Sequence, residues 1–134
     1  MGRNTFVSLP TNDLAAADTF YAALGFERNP EFSNEQATAW FITPEVWLMS
    51  ITAGYYETFL RGGDTTSFGQ GTKESLLGFS CGSREEVDRL TAAAVANGGA
   101  VYREAAEEMP GMYGSAVTDP DGHAWELMWM EQAG

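Results

Sequence analysis

A chain of 134 residues with 44% hydrophobic and 13% aromatic side chains can bury one packed core and is too short for two ordinary domains. Its formal charge of −12 excludes nucleic acid as a partner, because phosphate binding needs a basic face. The single cysteine and single histidine exclude an internal disulfide and a dispersed Cys/His zinc site. No apolar run reaches the roughly 20 residues of a membrane span. Met1-Gly2-Arg3-Asn4 leads into strand-like sequence with no signal-peptide core, so a cytoplasmic protein without membrane contact is expected.

Thr5–Leu9 alternates as a strand and stops at Pro10. Asn12 or Asp13 can cap a helix over Leu14–Leu24, with Leu14, Ala17, Tyr21 and Leu24 as its apolar stripe and Gly25 as its terminator. Strands are expected over Phe26–Phe32, Ala37–Ile42 and Val46–Thr52, then a short helix or ordered turn over Tyr55–Arg61. From Gly62 to Thr72 the composition shifts to Gly, Ser, Thr and Gln, which places a linker at about 62–73 between modules at 4–61 and 74–131.

The order then repeats. Leu76–Cys81 reads as a strand, and Ser83-Arg84-Glu85-Glu86 is a capping box opening a helix through Ala96, closed by Gly98. Strands Ala100–Glu104, Tyr113–Thr118 and Ala124–Met130 follow, so the chain reads as a tandem βαβββ repeat. The last strand follows the turn Asp119-Pro120-Asp121-Gly122. Trp125, Leu127 and Trp129 fall on one face; Ala124, Glu126 and Met128 fall on the other, with Glu126 the lone carboxylate there.

The repeat, with Asp13-Leu14 opening a helix that contains Phe20-Tyr21 and ends Leu24-Gly25-Phe26, resembles the vicinal oxygen chelate superfamily. So does Asp119-Pro120-Asp121-Gly122-His123 before a Glu-bearing strand. That superfamily includes glyoxalase I, bleomycin resistance proteins and extradiol dioxygenases. Trp125-Glu126-Leu127-Met128-Trp129-Met130, Tyr102-Arg103-Glu104 and Met112-Tyr113-Gly114 are similar to a branch labelled predicted lactoylglutathione lyase. The resemblance implies an α+β fold in which two βαβββ modules form a curved, cup-shaped eight-stranded mixed sheet, helices outside, in a homodimer. In metal-dependent relatives the first and fourth strands of each module supply the ligands of one divalent ion. Those positions fall at Phe6, Leu48, Leu76 and Glu126, and three apolar side chains cannot coordinate an ion.

The expectation is therefore a pocket with one carboxylate in its wall, no metal and no cofactor. Buried there, Glu126 needs a raised pKa or a hydrogen-bond partner, and a ligand's amine or hydroxyl could supply one. Strand alternation and the aromatics give the expected ligand-binding residues as Phe6, Ser8, Trp40, Leu48, Ser50, Leu76, Gly78, Tyr113, Glu126 and Met128. The expected function is binding of a small, partly apolar or cationic molecule. The alternative is a lactoylglutathione-lyase-like lyase or isomerase with Glu126 as catalytic general base. Trp47, Trp125 and Trp129 are expected between sheet and helices, whereas Tyr55, Tyr56 and Phe59 are free to line the cup. His123 reads as part of the turn, Cys81 as small apolar filling, and Arg61 and Arg103 as solvated or surface-paired.

Overall fold

The computed structural model describes residues 2–131 and divides the chain at Phe68/Gly69 into two compact units. The first holds β1 (Thr5–Thr11), α1 (Leu14–Ala23), β2 (Glu27–Asn29), a 3₁₀ turn (Pro30–Phe32), β3 (Ala37–Thr43), β4 (Val46–Thr52) and α2 (Ala53–Glu57). The second holds β5 (Leu77–Ser80), α3 (Arg84–Ala96), β6 (Ala100–Met109), β7 (Met112–Thr118) and β8 (Ala124–Met130). The eight expected strands are thus present among the described residues, as two four-stranded mixed sheets ordered β1-β4-β3-β2 and β5-β8-β7-β6. In each, the first strand pairs parallel with the fourth and the rest are antiparallel. No helix is long and apolar enough to cross a membrane among the described residues.

Local chemistry sets the element ends. Asp13, not Asn12, caps α1, its side chain accepting from Ala16 N at 3.1 Å. Ser83 caps α3 by accepting from Glu86 N at 3.0 Å. The return bond of this capping box reaches one residue further out than usual, Gly82 N donating to Glu86 Oε1 at 2.6 Å. Both helices turn off at a glycine with positive φ, Gly25 at 90° and Gly98 at 99°, where any Cβ would be strained.

Several boundaries differ from expectation, beginning with β1, which does not stop at Pro10 but runs through it to Thr11. The strand expected over Phe26–Phe32 ends at Asn29, because Pro30 has no N–H for the ladder and Asn29 Oδ1 instead accepts from Glu31 N. α2 starts directly after β4 at Ala53 rather than at Tyr55. β5 is one residue shorter at each end than Leu76–Cys81. β6 runs on past Glu104 to Met109, through three irregularities in its pairing with β7 that break the two-residue period.

The apolar layer of each unit lies between one sheet face and its long helix. In the first unit Ala17, Phe20 and Tyr21 of α1 and Leu24 at its C-cap are buried, with Leu48 and Trp40 buried from the sheet. Tyr21 stacks on Phe26 and its ring lies 6.5 Å from that of Trp40. In the second, Val87, Leu90 and Ala94 of α3 are buried along with Trp125, Leu127 and Val117. A hydroxyl pair, Thr91 and Ser115 at 2.7 Å, ties α3 to β7. Cys81 is buried as expected of apolar filling, and its thiol is pushed up to about 11, first by burial and next by the Glu86 carboxylate. At pH 8 only about one thiol in a thousand is then ionised. A disulfide reagent should therefore label the folded protein slowly at pH 8, faster toward pH 11, and rapidly once urea unfolds it.

Candidate functional site

Which face each strand residue takes follows from its cross-strand partners, since partners share a face. In the first unit Phe6 pairs with Trp47 and Ser8 with Met49; Trp47 in turn pairs with Phe41, and Met49 with Ala39. These residues form the face away from α1. Val7, Leu48 and Trp40 form the opposite row, as do Leu9, Ser50 and Thr38. Leu48, Ser50 and Trp40, expected in the ligand pocket, thus point toward α1, and Trp47, expected in the core, points away from it. The expected β4 facing was off by one residue, which moves every side chain of the strand to the other side.

The corrected face carries a hollow of about 710 Å³ lined by Asn4, Phe6 and Ser8 from β1 and its approach, and by Phe32. Trp47, Met49 and Ile51 from β4, with Tyr56, Phe59 and Leu60 at and after α2, complete the lining. Trp47 is its centre. Its ring meets those of Phe6, Phe32 and Phe41 at 5.4, 5.4 and 5.0 Å, while its Nε1 donates to Pro44 O, so the indole is held from several sides. No lining residue is charged. Phe6 and Phe59 are 58% and 64% exposed, large apolar rings standing in water rather than in a core. Tyr55 packs its ring edge-on against Phe59 at 4.9 Å.

In the second unit Gly78, Glu126, Ala116 and Arg103 are successive partners across β5, β8, β7 and β6. Met128 shares this face through its pairing with Ser80 and Gly114. A Cβ on Gly114 would stand 2.7 Å from the Met128 sulfur, so only glycine leaves that side chain its place. Leu76 lies just outside β5 and is half exposed. Tyr113 does not join them. It pairs with Trp129, and its hydroxyl donates to Asp88 Oδ1 on α3 at 2.7 Å, a bond that raises the phenol's pKa. Arg84 of α3 lies over both the Tyr113 and Trp129 rings.

Glu126 is not stranded. Arg103 Nη1 donates to its Oε2 at 3.1 Å, and Arg103 Nε lies 3.3 Å from Glu108 Oε2. The second contact is an ion pair without a hydrogen bond. The hydrogen-bond partner expected for a carboxylate in the wall comes from the same chain. Arg103, expected in a solvated or surface pair, is that partner, its side chain 38% exposed in the pair, while Arg61 makes an exposed 4.0 Å pair with Asp64. His123 belongs to the turn: its N–H and that of Asp121 both donate to Asp119 Oδ1 at 2.9 Å, and its carbonyl accepts from Asp119 N.

The sequence model of the Glyoxalase/Bleomycin resistance protein/Dioxygenase superfamily matches residues 4–127. The chain belongs to that superfamily. Among solved structures with the same fold is a glyoxalase-related enzyme from Fulvimarina pelagi. It is 23% identical over 96% of this chain and 88% of its own, with a TM-score of 0.81. A glyoxalase/bleomycin resistance protein from Albidiferax ferrireducens T118 is 26% identical over 93% and 96%, at a TM-score of 0.67. A lactoylglutathione lyase from Agrobacterium tumefaciens is 17% identical over 96% and 94%, at 0.68. No functionally curated protein matches the sequence. Within this superfamily member, Ser8 stands as far before the Asp13 cap as Gly78 does before the Ser83 cap. The first-unit counterpart of Glu126 is then Met49, the partner of Ser8, rather than Leu48.

Proposed function

We propose that this superfamily member binds a small, largely apolar, uncharged molecule in the hollow of its first unit, without a divalent ion. The observation that carries the reading is the hollow itself: its volume falls within the roughly 300–1,000 Å³ of small-molecule sites, and its aromatic lining includes rings left open to solvent. Asn4 and Ser8 supply the few polar contacts that would orient a ligand. Superfamily metal chemistry does not fit the donors. The positions offer a Phe6 ring, a Met49 thioether in place of Leu48, and a Leu76 side chain, and Glu126 is engaged by Arg103. Among the described residues no group of three or more His, Cys, Asp or Glu side chains could hold an ion.

The Arg103 pair also supports a neutral over a cationic ligand. A cationic ligand loses the bare carboxylate that would have anchored it, although the charge of −12 still draws cations from solution. A lyase reading needs the Glu126 carboxylate facing its substrate, and its Oε2 is instead in contact with Arg103. A cytoplasmic homodimer completes the proposal: each sheet ends in edge strands, β1 and β2 in one and β5 and β6 in the other, and sheet edges are where a second chain can pair.

A thermal-shift screen of neutral aromatic compounds, matched amines and divalent ions tests this. Neutral aromatics at about 100 times Kd should stabilise the protein by about 2.7 kcal/mol. Stabilisation by ions or amines alone would overturn it.

A further inference from the structure

We propose that Arg103 is the resident cation of the second unit's sheet face, built to neutralise Glu126 and Glu108 and so to keep divalent ions off that face. The guanidinium contacts one carboxylate through Nη1 at 3.1 Å and the other through Nε at 3.3 Å, which places both acids around a single positive charge. An ion binding to Glu126 would have to displace a bonded guanidinium and then sit beside its charge.

The surroundings show how the contact is achieved. Arg103 stands on β6 and Glu126 on β8, with Ala116 of β7 between them in the same row. Two strand spacings amount to about 10 Å, so the two side chains meet only by reaching toward each other across the intervening residue. Alanine at that position leaves the path clear. Ala116 is itself 0% exposed, although its face is the one turned away from α3. The pairing of β6 with β7 shifts register on both sides of Arg103, which separates its placement from the regular pleat. Gly78, the partner of Glu126 on β5, adds no side chain to compete for the carboxylate.

The proposal rests on the ion-free reading above, and one titration tells their failures apart. Mn²⁺ would be titrated calorimetrically into the wild type, Arg103→Gln, Arg103→Lys and the double variant Arg103→Gln/Glu126→Gln, each checked for folding by circular dichroism. The wild type and Arg103→Lys should show no stoichiometric uptake. Arg103→Gln, with two carboxylates uncovered, should gain one site at least about tenfold tighter than any wild-type response, and the double variant should lose it. Stoichiometric uptake by the wild type would overturn both readings. A folded Arg103→Gln that binds no more Mn²⁺ than the wild type would overturn this one alone. Should Arg103→Gln not fold, Ala116→Leu, which blocks the path between the charges, is expected to show the same gain, and its absence counts equally against the proposal.

Discussion

Trp125→Ala should lower the unfolding free energy by about 3–5 kcal/mol, the range for emptying a buried tryptophan site. Trp125 is 1% exposed on the helix-facing side of β8. Its neighbours across the sheet are Leu77 on β5 and Val117 on β7, and the Phe79 ring lies 6.3 Å away. All are held by backbone ladders, so the cavity cannot close by a side-chain shift alone. A fall in the urea midpoint without a change in slope would show the expected loss of packing. A loss under 1 kcal/mol would mean that this face of β8 is not the core face.

The second large effect separates two neighbours on β4. Leu48→Ala should destabilise the protein by about 2–5 kcal/mol, because Leu48 is fully buried against the helix side. Met49→Ala, one residue on, should change stability by well under half as much, because Met49 lines the open hollow. The reverse order would restore the register in which Leu48 faces the ligand.

That slip marks where the sequence stops being legible. Elements with their own punctuation were readable: caps at Asp13 and Ser83, glycines at 25 and 98, and the turn before β8. Glu126 alone among apolar neighbours marked the facing of β8, and Gly78 and Met128 share its face. β4 carries no such marker. Val46-Trp47-Leu48-Met49-Ser50-Ile51 is apolar on both faces apart from one serine, and that serine is buried under the helix. Alternation has nothing to report in such a strand. Trp40 and Trp47 were exchanged for the same reason.

The partner of Glu126 was hidden differently. Arg103 lies 23 residues away on a strand whose bulges erase its period, so no local pattern links the two. The wall of the hollow formed at and after α2 was harder to read, because α2 has no side-chain cap to mark where it starts. Tyr56 and Phe59 were among the aromatics left free to line the cup, and both line the hollow.

Binding of the neutral fluorophore N-phenyl-1-naphthylamine to the wild type, Trp47→Ala and Glu126→Gln tests the central claim most directly. The account predicts fluorescence enhancement by the wild type and by Glu126→Gln with similar affinity, and at least about tenfold weaker binding by Trp47→Ala, since truncating a central aromatic removes about 2 kcal/mol or more. Equal binding by Trp47→Ala, or binding abolished by Glu126→Gln, would contradict it.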